Sequence, residues 1–183
     1  MIENIIAYHC GPALAGIKTA NIVACYKDKI TCVHSEVERL NRELNCKDIY
    51  FEIICECDKR ILLMVYRSKV LKQYLHRADI RNLLCSFGYK AEAELQEDIE
   101  RLKSRLGKVD FPHEIGAFLG YPLHDICGFI NHRDEGCILT GEWKVYKNAD
   151  EAKKTFTRYR RCRRAIVKRL SQGNTLAQVF CAA

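Results

Sequence analysis

Apolar positions open the chain at helical spacing. Ile2, Ile5 and Ile6 predict a short amphipathic helix that stops at His9-Cys10-Gly11. Pro12 is then well placed as the first residue of a second helix. That segment, PALAGIKTANIVACY, is apolar on most sides apart from Lys18 and Asn21, which predicts a buried helix. Ser35 followed by Glu38 has the form of a capping box opening SEVERLNREL. The period changes at IYFEIICECDKRILLMVYR. Phe51, Ile53, Cys55 and Cys57 alternate with Tyr50, Glu52, Ile54 and Glu56, Asp58-Lys59 marks a turn, and the unbroken apolar run from Ile61 to Tyr66 predicts a central strand covered on both faces. Helices follow over about residues 69–87, broken near Ala78-Asp79 and closed by Gly88. The next helix carries Leu95, Ile99, Leu102 and Leu106 as its buried stripe and ends at Gly107. FPHEIGAFLGYPLHDICGFI, residues 111–130, predicts helix, sharp corner at Gly120-Tyr121-Pro122, and helix. CILTGEWKVY alternates as a half-covered strand with Leu139, Trp143 and Val145 inward, and a long helix runs from about Asp150 to Leu170. The pattern predicts one α+β domain over residues 1–183. It is mostly helical around a small antiparallel sheet, with a hairpin at about 49–66 and a strand at about 137–146.

Charge sharpens this picture. The chain carries a formal +7, but residues 153–169, KKTFTRYRRCRRAIVKR, hold nine cations and no acid. Removing those nine from the total of 30 leaves 21 basic against 23 acidic residues, a net of −2. The expectation is a near-neutral domain with one basic helix. Cysteine, 11 residues and odd in number, argues against a secreted disulfide framework and for free thiols in a reducing cytoplasm. No CxxC occurs, and Cys55-x-Cys57 reads as two core-facing residues of a strand. The amino-terminal stretch lacks a basic n-region, and no apolar run is long enough for a membrane span.

Three stretches resemble one family. HCGPALAGIKTANI resembles an HCxPxLAGxK pattern, FPHEIGAFLGYPLHDICGFI a FPHEIGxFLGYPLxDVxGFI signature, and GEWKVY a GYWKVY segment, with Glu142 in place of the tyrosine. Together they identify the chain as similar to domain-of-unknown-function family 3793, found mainly in clostridia and related anaerobes. The resemblance implies a cytoplasmic bacterial protein and a flavodoxin-like neighbour. It brings no established activity, cofactor or catalytic residue.

Four chemistries suit the residues. The corner at 111–130 has the spacing of a DNA-reading helix-turn-helix at Ile115, Gly116, Gly120, Ile126 and Phe129. Its second helix offers His124, Asp125 and Asn131 but no cation before Arg133, so scaffold is the expected role, with Phe118, Leu119, Ile126 and Phe129 buried. Cys10, read as lying at a helix start, could be an activated thiol with His113 as base and Glu114 orienting it; His9 and Lys18 are alternative partners. His9, Cys10, His113 and Glu114 could instead ligate a metal or haem. The leading expectation is the basic helix. Arg160, Arg161, Arg164 and Lys168 form a solvent stripe suited to an acidic partner, either a protein such as a flavodoxin or a nucleic acid, while Tyr159, Cys162, Ile166 and Leu170 face inward.

Overall fold

The computed structural model describes residues 2–107 and 111–181. Helix α1 (Ile2–Leu14) leads into strand β1 (Ala20–Tyr26), α2 (Val33–Leu44), a short 3-10 turn (Asn45–Lys47), β2 (Tyr50–Glu56) and β3 (Arg60–Tyr66). Then come α3 (Ser68–Leu75), α4 (Ala78–Ser86), α5 (Leu95–Leu106), α6 (Ile115–Phe118) and α7 (Leu123–His132). A small hairpin of β4 (Leu139–Thr140) and β5 (Lys144–Val145) precedes the long α8 (Ala149–Ser171) and α9 (Leu176–Cys181). The α+β class and its mostly helical character are as the pattern predicted.

The main sheet is antiparallel in the order β1-β3-β2, so the unbroken apolar run of β3 is central, as its composition required. Successive residues of β3 point to opposite faces. Ile61, Leu63 and Val65 join a core built with α1, α2, α8 and α9, while Leu62, Met64 and Tyr66 join a second core built with α3 to α7. A third, smaller cluster of Trp143, Val145, Ala152, Phe156 and Tyr159 clamps the β4–β5 hairpin to α8.

Four expectations are corrected. First, residues 20–26 form a strand, not the end of a buried helix. All-round apolarity suits either element when both faces are covered, and the seven-residue register with β3 from Ala20↔Tyr66 to Tyr26↔Arg60 decides for the strand. Second, α1 passes through Gly11 and Pro12. Proline lacks only the N–H that would bond the Tyr8 carbonyl, and Tyr8 is exposed to water. Gly11 is a crossing point: a Cβ there would lie 3.2 Å from the Arg163 side chain and 3.3 Å from Ile166. The helix is closed instead by Gly16, at φ +71°. Third, α2 begins before Ser35, whose hydroxyl donates to the Cys32 carbonyl, so no capping box forms there. Fourth, residues 137–146 fold into a hairpin. The Gly141 N–H donates to the Trp143 carbonyl, and the Phe156 ring lies 2.2 Å from where a Gly141 Cβ would be.

A bulge between Ile53 and Cys55 also turns Cys55 to the opposite face from Phe51 and Ile53, and Cys57 sits exposed in the turn. The two thiols therefore do not share a core face.

Candidate functional site

Cys10 is fully buried in mid-α1, in the core on the Leu63 face of the sheet. Burial drives its thiol well above the ordinary range; Lys18 and Arg163 only partly oppose this. The helix-start environment that would have activated it is absent, because α1 continues past it to Leu14. His113 lies on the other side of the sheet, in a cleft with Ile22 and Leu62, its ring edge-on to Phe129 at 5.2 Å. Glu114 is turned away from solvent altogether. It pairs with Arg105 and accepts a hydrogen bond from the Tyr89 hydroxyl at 3.3 Å, since a carboxylate with no exposure needs its charge compensated. Cys10, His113 and Glu114 are thus not brought together. His9 and Cys10 diverge too, one outward and one inward, as neighbours on a helix must. Among the described residues no group of three or more His, Cys, Asp or Glu side chains is arranged to hold a metal ion.

The corner at 111–130 is built as scaffold at its centre. Phe118 and Ile126 are buried; Leu119 and Phe129 are half-buried rather than buried, because they line the cleft that holds His113. Gly120 takes φ +69°, and a Cβ there would sit 2.5 Å from Thr19 Oγ1, which donates to the Phe118 carbonyl at 2.7 Å. Asp125, on the helix that would have read DNA, is buried. It accepts from Trp143 Nε1 and the Tyr146 N–H, each at 2.7 Å, and so ties α7 to the β4–β5 hairpin.

The basic helix is one continuous element. Ala152, Phe156, Tyr159, Ile166 and Leu170 are buried and Cys162 half-buried, which leaves Arg160, Arg161, Arg164 and Lys168 exposed on the outer arc. Lys153 and Lys154 are paired within the helix to Asp150 and Glu151. Arg163 turns inward and forms a two-pronged pair with Glu142 at 2.6 and 2.5 Å, which holds the Glu142 carboxyl below its usual range. The glutamate that replaces the family pattern's tyrosine therefore has a structural partner. Among the described residues no carboxylate lies within ion-pair distance of Arg160, Arg161, Arg164 or Lys168. The acids of α5 and the residue before it, the obvious candidates, are engaged elsewhere: Glu94 with Lys72, Glu97 with Lys90, Asp98 with Arg81 and Glu100 with Lys103.

Between α1 and α8 runs a groove of about 640 Å³, lined by Tyr8, His9, Arg160, Arg163, Arg164, Val167, Lys168 and Ser171. Tyr8 is 62% exposed and stands edge-on to the His9 ring at 4.9 Å. Partial burial and the Arg163 charge lower the His9 pKa, favouring its neutral form. The sequence reading found the cations of this groove but not its aromatic wall. Tyr8 and His9 lie some 150 positions away, and only the close α1–α8 crossing at Gly11 brings them there.

No helix among the described residues is long and apolar enough to cross a membrane. Comparison with curated proteins and with solved structures finds no match for this chain. One family model, described as a protein of unknown function (DUF3793), matches residues 6–180, nearly the whole length, and includes most of α1, the 111–130 corner and the β4–β5 hairpin; the chain belongs to that family.

Proposed function

We propose that this is an accessory binding protein of the cytoplasm that docks an acidic partner through α8, and that the partner is nucleic acid. The observation that carries this reading is the stripe of Arg160, Arg161, Arg164 and Lys168, exposed and unmatched by any described acid of the chain. Arg160, Arg164 and Lys168 recur one turn apart, roughly 6 Å along the axis, and so present a row of cations to a row of negative charge. Arginine forks suit phosphate oxygens. The exposed Tyr8 ring beside them favours nucleic acid over an acidic protein, because a base can stack on it while phosphates meet the arginines.

The test is fluorescence anisotropy with a labelled single-stranded RNA and, separately, labelled poly-glutamate. RNA binding should weaken steeply with salt. Replacing Arg160, Arg161 and Arg164 together by Gln should lower affinity at least tenfold and reduce the slope of log K on log salt by about 2. Because all three side chains are exposed, thermal stability should hardly change. Equal binding of poly-glutamate, insensitive to Tyr8→Ala, would favour an acidic protein, such as the flavodoxin-like partner the resemblance implies. Unchanged binding by the triple variant ends the reading.

A further inference from the structure

The 111–130 corner does more than turn the chain. Nine of the 14 residues lining a cleft of about 440 Å³ come from this one stretch, the rest from β1, β3 and the β4–β5 hairpin. The volume lies in the range of small-molecule sites, which are mostly apolar with a few placed polar groups. Ile22, Leu62 and Ile126 supply aliphatic walls; Phe129, Tyr121 and Trp143 supply rings. Phe111 stands at the cleft 56% exposed, its ring 6.5 Å from that of His113.

Three basic side chains reach the same space: His113, Arg60 and Lys144. Among the described residues no acid pairs with the exposed Arg60, and no protein group hydrogen-bonds to the His113 ring. Lys144 lies 5.7 Å from the centre of the Phe129 ring and pairs with the exposed Asp134, which does not line the cleft. Among the described residues one acid lines the cleft, Asp125, and it already receives bonds from Trp143 and Tyr146 and is only 3% exposed. An apolar body would cover the rings, and an anionic head would meet free cation and imidazole donors rather than a competing carboxylate. We propose that this cleft is a binding site for a small apolar carboxylate, with its hydrocarbon against Ile22, Leu62 and Phe129 and its head at Arg60 and His113. This site is separate from the α8 stripe and stands or falls without it.

Trp143 is the chain's single tryptophan and lines the cleft, so intrinsic fluorescence reads occupancy directly. Decanoate should change Trp143 emission saturably, with matching heat in titration calorimetry. Decylamine, of equal length and opposite charge, should bind at least tenfold more weakly, and decanol should fall between them. Arg60→Gln, at an exposed position, should weaken decanoate severalfold and leave decanol unchanged. Ile22→Phe, which fills the cleft, should weaken both. No saturable response of the wild-type protein to decanoate overturns the proposal. So does equal affinity for decanoate, decanol and decylamine, which would mean a neutral apolar occupant or a partner's side chain. The charge series uses the wild-type protein alone, so no variant needs to fold for the test to be decided.

Discussion

Lys18 offers a sharp quantitative test of the packing. It is only 5% exposed, and Glu142, the acid whose charge favours its protonated form, is already held by Arg163. The amine lies 5.2 Å from the centre of the Tyr121 ring and 5.7 Å from that of Tyr159. Burial pushes its pKa down from 10.5 to about 8. That drop corresponds to a penalty of roughly 3 kcal/mol on the protonated amine in the folded state. The two ring contacts offset part of it, at about 0.5–2 kcal/mol each when desolvated. The sign follows from proton binding: between pH 8 and 10.5 the unfolded chain holds more protons at this site than the folded one. The penalty is therefore full below pH 8 and disappears as the pH rises to 10.5. Lys18→Met keeps the stem and removes the charge. The variant should be more stable than wild type by about 1–3 kcal/mol at pH 7, with the advantage shrinking towards zero by pH 10.5. Urea denaturation under reducing conditions at five pH values, read as variant minus wild type, cancels the other titrating groups. A difference that stays constant from pH 7 to 10.5 would refute a buried, charge-strained Lys18.

Two further outcomes rest on burial. Phe118, fully enclosed between the 111–130 corner and α3, α4 and α5, should cost about 3–5 kcal/mol when replaced by Ala in urea titrations, whereas half-buried Phe129→Ala should cost clearly less; equal costs would mean the cleft is not open at Phe129. Cys57 is exposed, and backbone hydrogen bonds from Lys59 and Arg60 lower its thiol pKa, so iodoacetamide at neutral pH should label it ahead of Cys10, which should be among the last of the 11 by peptide mapping; early labelling of Cys10 would contradict its enclosure.

How far the sequence could be read depended on whether the signal was local. The amphipathic stripe of α5 was legible because Leu95, Ile99 and Leu102 all face one core, and the Glu94–Glu97 capping box starts the helix just where its acids lead. The centre of the sheet was legible because the run ILLMVY is too short for a buried helix and follows an alternating strand across a turn. Residues 20–26 were not, since the choice between buried helix and buried strand lay with β3, some 40 positions away. Gly11 misled for the same reason. Glycine can stop a helix or admit a neighbouring one, and only Arg163 and Ile166 of α8 reveal which. That misreading supplied the one argument for an activated Cys10, and the continuous α1 removes it.

The two candidate surfaces differ in the same way. The α8 stripe was legible as composition, because nine cations without an acid cannot neutralise one another. Its freedom was not, since it depends on where the acids of α5 go. With Glu94 just before the helix, they face Lys72, Arg81, Lys90 and Lys103 in the other half of the fold, on the far side of the sheet from the α1–α8 groove. The sheet therefore acts as a partition as well as a core. It keeps the paired acids of α5 away from α8, and it keeps Cys10 from His113. The pairing of charges within the α5 layer thus leaves Arg160, Arg161, Arg164 and Lys168 of α8 without an acid among the described residues. The same partition gives the α5–α7 layer a cleft whose free donors, Arg60 and His113, are equally unanswered by the described part of the chain.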